Sequence, residues 1–285
     1  MDNEQYPLVS FLISSTGRYN YLKITIDSFI EHNTYPNVEF VIVESLPTPE
    51  AQQTFNLSNI QTEKCIEYVE NLQKTCPIPI YYFKIPWMPM GNVMNYLFSK
   101  MNGDYFFWGE DDWETVCDPK EMFLDSIQIM KDDKKLTATR WVIEKEGYFT
   151  EEMSLEVMQY FQRNHIPTNL YGVKRHPISD YIYWPLGGGT LFGDREKLLR
   201  MGAMVTNHPL KDFWWGETGW SYLLQYCGCY VGILHKYYGF VVSIGSDSLS
   251  GLNRNTLTNA SQQLIKIGRL GKKQMDLSGC YINGF

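Results

Sequence analysis

Gly103-Asp104-Tyr105-Phe106-Phe107-Trp108-Gly109-Glu110-Asp111-Asp112-Trp113 is the stretch that indicates the fold of this chain most directly. Its apolar run predicts a buried strand, and the strand ends in three consecutive carboxylates. Adjacent carboxylates repel one another, so burying them together is costly unless a cation neutralises them. Ligands bind at the carboxyl ends of strands in open α/β sheets, where carboxylates and ligand phosphates together hold a divalent ion. The segment therefore predicts a metal site, with an acidic surface turn as the alternative interpretation.

The first half of the chain alternates between strand and helix patterns. Strands are predicted at residues 8–13, 38–43, 78–83 and 105–110, with helices at about 21–33, 59–74 and 91–101. This order predicts an α/β fold with a mostly parallel central sheet flanked by helices. No Gly-x-Gly-x-x-Gly or Walker pattern follows the first strand, so neither a dinucleotide-binding fold nor a P-loop is supported.

The second half is less regular. Its clearest features are a helix at 118–132, a strand at 136–143, a glycine-rich segment at 187–193, a helix at 195–201 and an aromatic run at 213–220. Beyond residue 246 the chain is polar and rich in Gly, Asn and Ser, which is typical of a lid or tail.

Composition limits the classes of function. The chain has 285 residues, 44% hydrophobic and 20% charged, as in a globular protein with a substantial core. A net charge of -7 argues against a protein that binds nucleic acid by neutralising phosphates. Aromatic residues make up 15% of the chain, and Tyr and Trp suit stacking on sugars or bases. The polar start, the absence of a long apolar run and six cysteines without a Cys-x-x-Cys pair favour a cytoplasmic protein with no membrane span.

Five segments, taken in order, resemble the family-two glycosyltransferases, which share the GT-A (Rossmann-like) fold. They are residues 9–18, 41–45, 95–112, 187–192 and 215–217, and the similarity extends over residues 8–235. The resemblance implies a single GT-A catalytic domain at 1–250, with a nucleotide-sugar-binding half at 1–113 and an acceptor-binding and catalytic half at 114–250. Residues 251–285 would then form a C-terminal tail or lid.

Each part of such a site has candidate residues. The candidates for nucleotide binding are Thr16, Arg18, Glu44, Asn95, Glu110 and Asp111. Those for the metal, Mn²⁺ or Mg²⁺, are Asp112, Glu110 and His235, and those for the sugar or acceptor are Gly188, Gly189, Trp215 and Trp220. Glu217 is the candidate catalytic base, because its tryptophan neighbours would raise its pKa toward neutrality.

The sequence departs from the family pattern at three positions. Met94 stands where the family often has an arginine before the matched asparagine, which removes one expected phosphate contact. Glu110 replaces the first aspartate of the Asp-x-Asp motif and still offers carboxylate oxygens. Thr218 follows Glu217 where the family has a second acid, so only one base candidate remains.

The leading hypothesis is an inverting, metal-dependent glycosyltransferase that uses a nucleotide-diphosphate sugar, UDP-hexose by default, and a glycan or glycoconjugate acceptor. A sugar nucleotidyltransferase is an alternative, although Ser14 to Arg18 matches its phosphate loop poorly. A glycoside hydrolase would need two facing carboxylates, and no second isolated acid pairs with Glu217. A non-catalytic sugar-binding relative of the same fold is the fourth hypothesis.

Overall fold

The computed structural model describes residues 6–55, 57–88, 90–142, 173–184, 191–201, 228–239 and 241–243. The strands are β1 (Val9–Ser15), β2 (Val38–Leu46), β3 (Ile80–Pro86), β4 (Tyr105–Glu110), β5 (Trp113–Thr115), β6 (Leu136–Val142), β7 (Tyr181–Trp184), β8 (Leu191–Asp194), β9 (Tyr230–Tyr237) and β10 (Val241–Ser243). The helices are α1 (Tyr19–His32), α2 (Pro49–Phe55), α3 (Asn59–Thr75), α4 (Met90–Lys100), α5 (Lys120–Asp132) and α6 (Arg195–Met201).

Eight strands form one mixed sheet in the order β3-β2-β1-β4-β8-β6-β9-β7. The four strands of the first half pair in parallel, as do β6 and β9, whereas β8 and β7 run antiparallel to their neighbours. The prediction of an α/β fold with a mostly parallel sheet flanked by helices is confirmed. A separate two-stranded sheet pairs β5 with β10.

Both faces of the sheet are covered, which explains why its strands are almost continuously apolar. On one face Phe11 of β1 and Phe107 of β4 pack with Phe29 of α1 and Phe123 of α5, with ring centroids 4.6 to 6.5 Å apart. Residues of α4 cover the other face. Gly109 leaves room for Phe11, since a Cβ at that position would lie 2.3 Å from the ring.

The sheet places the candidate site at one edge. In the pairing register Ser15 lies beside Glu44, and Ser14 lies beside Glu110, so β1, β2 and β4 end together. Gly17, with a φ of 70°, turns the chain from β1 into α1 at this edge.

Three calls on organisation stay predictions. The boundary at residue 113 and the extent of the catalytic domain are not tested by the fold, and the tail at 251–285 lies outside the described residues. Within the part of the chain that the structure describes, no helix has the length and apolar character of a membrane span.

Candidate active site at the carboxyl edge of the sheet

The acidic turn after β4 is folded into the protein. Asp111 and Asp112 are 2% and 4% exposed, and Glu110 is partly buried. The indole Nε1 of Trp113 donates a hydrogen bond to Glu110 Oε2 at 3.2 Å. Burial of this kind excludes a solvated surface turn, so the charge of the turn must be balanced from within the protein or by a ligand.

Arg18, the residue that precedes α1, supplies part of that balance. Its Nη2 pairs with Asp111 Oδ1, and its Nε donates to Asp111 Oδ2 at 3.2 Å. Its Nη1 and Nη2 reach Asp112 Oδ2 at 3.2 and 3.3 Å. The contact joins residues 93 and 94 positions apart, and it brings two of the predicted nucleotide-binding residues together with the predicted metal ligand.

Burial and the neighbouring charges shift the pKa values of the residues in this cluster. Burial raises the pKa of Glu110, and the nearby charge of Asp112 raises it further. Burial also raises the pKa of Asp111, against the opposing effect of Arg18. Burial alone would lower the pKa of Arg18, but the negative charges of Asp111 and Asp112 outweigh it and raise that pKa. The guanidinium is therefore charged at any working pH, and the cluster still has an excess of carboxylate.

Asp112 keeps one oxygen available. Its Oδ1 is buried and has no hydrogen-bond partner, while Oδ2 faces Arg18. A buried carboxylate oxygen without a donor is costly to leave alone, and it fits a hard divalent cation that takes its remaining oxygens from phosphates and water. Over the described ranges no three His, Cys, Asp or Glu side chains are grouped to hold a metal, so Asp112 would act with ligands from the substrate.

Glu44 lies beneath the turn after β1. It is 0% exposed, its Oε1 accepts a hydrogen bond from the backbone N–H of Gly17 at 2.6 Å, and its Oε2 has no partner. Burial raises the pKa of Glu44 to about 8. The sequence predicted that Glu44 contacts the nucleotide. In the structure its hydrogen bond with Gly17 holds the turn that carries Thr16 and Arg18. A direct role of Glu44 in nucleotide binding stays a prediction.

The remaining candidates fall at different distances from the turn. Thr16 is partly exposed at the end of β1, and Asn95 lies partly buried on α4. His235 is exposed on β9, where Ser179, Asp180 and Lys236 surround it. The strand order places β8 and β6 between β4 and β9, so β4 and β9 lie three strand spacings, or about 14 Å, apart. The structure thus does not group His235 with Glu110 and Asp112, because two strands intervene.

Five of the predicted site residues lie outside the described residues: Glu217, Gly188, Gly189, Trp215 and Trp220. Sequence reasoning missed two features of the described site. One is the hydrogen bond between Gly17 and Glu44, and the other is Tyr21, whose ring centroid lies 5.3 Å from the Arg18 guanidinium carbon. The spacing of Tyr21 from Arg18, one turn into α1, was the available signal.

Comparison with known proteins shows the fold. No protein-family model matches the sequence, and no curated protein matches it. The mannosyltransferase PcManGT from Pyrobaculum calidifontis, solved with GDP-Man and Mn²⁺, has 12% identity and a TM-score of 0.59 over 91% of this chain and 64% of that protein. GalNAc-T7 with UDP, GalNAc and Mn²⁺ has 13% identity and a TM-score of 0.54 over 83% of this chain and 45% of that one. S. aureus TarS 1-349 has 11% identity and a TM-score of 0.52 over 92% of this chain and 70% of that protein.

These likenesses identify the fold as that of GT-A-type glycosyltransferases. The chain spans less than two thirds of the length of PcManGT and of GalNAc-T7. At identities of 11 to 13% the comparisons show the backbone fold alone, so the chemistry of the site depends on the residues of this chain.

Proposed function

We propose that this chain is a metal-dependent glycosyltransferase that moves a sugar from a nucleotide-diphosphate sugar to a hydroxyl of a glycan or glycoconjugate. The observation that carries the proposal is the free Oδ1 of the buried Asp112, at the edge where the GT-A fold ends its first parallel strands. UDP-hexose is the default donor, and Mn²⁺ or Mg²⁺ is the cofactor. The Mn²⁺ in the PcManGT and GalNAc-T7 structures supports the choice of a divalent metal.

The described residues divide the work of holding the donor. Asp112 would hold the divalent ion, which supplies neutralisation of the charge that develops on the leaving diphosphate. Arg18 places a permanent positive charge beside it, and Thr16, which is partly exposed just after β1, offers a hydroxyl. Glu44 fixes the backbone from which both of these side chains project, so the site is organised before the donor binds.

The second half of the reaction is assigned from the sequence. Glu217 would accept the proton of the acceptor hydroxyl as the sugar is transferred, with Trp215 and Trp220 as stacking surfaces for sugars and Gly188 and Gly189 as a close backbone approach. A single base that activates the acceptor directly predicts inversion of the anomeric configuration.

A thermal-shift screen tests the proposal against its alternatives. The full chain is heated with UDP-, GDP-, CMP- and dTDP-sugars, each with Mn²⁺ and with EDTA, and Asp112→Asn is the matched variant. We expect one class of nucleotide sugar to raise the melting temperature in Mn²⁺ and to lose that effect in EDTA and in Asp112→Asn.

The product then separates an enzyme from a binding protein. NMR of the reaction with a hydroxyl acceptor should show a new glycosidic bond with the anomeric configuration opposite to that of the donor. Formation of a nucleotide sugar from a nucleoside triphosphate and a sugar phosphate would replace the proposal with a nucleotidyltransferase. Binding without any turnover across acceptors would favour the non-catalytic relative.

A further inference from the structure

We propose that Arg18 is a resident counter-cation of the acidic turn, which competes with the divalent ion for Asp112 and stays anchored on Asp111 when that ion binds. The inference rests on the proposed function, because it concerns the same metal site. It assigns different roles to two adjacent aspartates and gives the arginine a role in the ligand-free protein as well as in the complex.

The contacts of Arg18 with the two aspartates are unequal. Toward Asp111 the guanidinium uses two nitrogens on two oxygens, the fork that makes arginine–carboxylate pairs strong. Toward Asp112 two nitrogens share the single oxygen Oδ2 at 3.2 and 3.3 Å. The second contact is longer and leaves Oδ1 free, so Asp112 is the partner that can be released at lower cost.

Burial makes the competition strong. The side chains of Arg18, Asp111 and Asp112 are 14%, 4% and 5% exposed, so water screens their charges poorly. Glu110, Asp111 and Asp112 carry three negative charges when ionised against the single positive charge of Arg18, which leaves two to be balanced. A divalent ion matches that remainder in charge, but it must approach Asp112 against a guanidinium already in contact with it.

The surroundings keep Arg18 near the turn after such a release. The fork on Asp111 holds one edge of the guanidinium, and the ring of Tyr21 lies 5.3 Å from its central carbon. Release breaks the contacts of Nη1 and Nη2 with Asp112 Oδ2 while Nη2 keeps its bond to Asp111, and Nη1 then becomes a donor for a phosphate oxygen of the donor substrate. Arg18 thereby positions Asp112 before the ion arrives and contributes to diphosphate binding afterwards.

The test measures Mn²⁺ affinity without any nucleotide, by electron paramagnetic resonance of free Mn²⁺. Arg18→Gln removes the competing charge, so we expect it to bind Mn²⁺ roughly tenfold more tightly than the wild type, about 1.4 kcal/mol. Its metal-free form should melt at a lower temperature, because the carboxylates then repel one another. Lys23→Gln is the control: it removes a cation of α1 whose pair with Asp27 is exposed, and it should leave Mn²⁺ affinity unchanged.

The outcomes distinguish this inference from the proposed function. If neither the wild type nor folded Arg18→Gln binds Mn²⁺, the metal site itself is refuted. If the wild type binds Mn²⁺ and folded Arg18→Gln binds it equally or more weakly, the competition is refuted while the metal site stands.

A second measurement needs no folded variant. In ¹⁵N-labelled wild type titrated with diamagnetic Mg²⁺, the Arg18 Nη resonances should shift with the midpoint of Mg²⁺ binding, while the Nε–H bonded to Asp111 stays protected from exchange. Resonances of Arg18 that do not respond at saturating Mg²⁺ would overturn the proposal, and so would loss of Nε–H protection.

Discussion

Replacing Glu44 with glutamine should flatten the pH dependence of stability between about pH 5 and pH 8. The carboxyl group is fully buried, and burial raises its pKa from an ordinary value of 4.5 to about 8. Gly17 N–H donates a hydrogen bond to Oε1, which favours the charged form, but Oε2 has no hydrogen-bond partner and burial is the larger effect. Glutamine keeps the accepting oxygen and cannot ionise, so the substitution removes the titration and retains the shape.

The sign follows from proton binding. Between pH 4.5 and about 8 the folded chain holds a proton on Glu44 that the unfolded chain has released, so the free energy of unfolding falls as pH rises. Each pH unit in this window costs about 1.4 kcal/mol, or roughly 2–3 kcal/mol between about pH 5 and pH 7. The stabilisation from protonated Glu44 is complete below the pKa of this group in the unfolded chain, and it is lost as pH rises through its pKa in the folded chain.

Urea unfolding in EDTA, followed by tryptophan fluorescence, measures the difference. The free energy of unfolding of the wild type minus that of Glu44→Gln should fall by roughly 2–3 kcal/mol from about pH 5 to pH 7. Subtraction removes the titrating groups that do not interact with Glu44, because both proteins contain them, whereas the effect of the Asp111 charge on Glu44 is part of the measured difference. Glu70→Gln is the control: the hydrogen bond and charge of Lys84 lower the pKa of Glu70, so its titration lies below this window and its difference from the wild type should stay flat from about pH 5 to pH 7. Parallel pH profiles for wild type and Glu44→Gln would refute the reasoning.

Three further predictions concern the metal, the base and a packed glycine. Asp112→Asn should remove Mn²⁺-dependent nucleotide-sugar binding in calorimetry, Asp111→Asn should cost much less, and full activity in EDTA would contradict the assignment. Glu217→Gln should retain donor binding while transfer falls by about two to four orders of magnitude in a product assay; a nearly normal rate would exclude it as the base. Gly103→Ala should lower the free energy of unfolding by about 1–3 kcal/mol in urea, because its Cβ would lie 2.6 and 2.7 Å from backbone atoms of β4 and β1. Gly232→Ala should cost less, since its Cβ would meet a leucine methyl carbon at 3.0 Å, and equal losses would contradict the packing argument.

The fold was readable where strands are long and buried on both faces. The runs that became β1, β2 and β4 are nearly continuously apolar, and the helical spacing between them requires parallel crossovers. The strands β5, β7 and β10 were not predicted, because three or four residues are too few to show a period. They pair through contacts with distant parts of the chain, which single-sequence patterns do not contain.

The edge that carries the site was also readable, because parallel strands end at the same side of a sheet. The distances between residues along that edge could not be predicted from the sequence. His235 lies on β9, which runs in the same direction as β4, yet two strands separate β9 from β4, and the order of strands in the sheet is not encoded in their order along the chain. The roles of Glu44 and Arg18 depend on burial and on side-chain direction, which only the folded chain supplies.

One short turn connects the ends of three strands. It follows β1, its Gly17 N–H is held by Glu44 of β2, and its Arg18 holds the aspartates that follow β4. A Cβ at Gly17 would lie 2.4 Å from Thr62 Oγ1, so α3 packs closely against the same turn. A ligand that draws Arg18 away from Asp112 therefore acts on backbone that Glu44 fixes from below, and Asp111 adds to the rise in the pKa of Glu44. We therefore expect binding of an ion at the acidic turn to shift the pKa of Glu44, and protonation of Glu44 to shift the affinity of the turn for the ion.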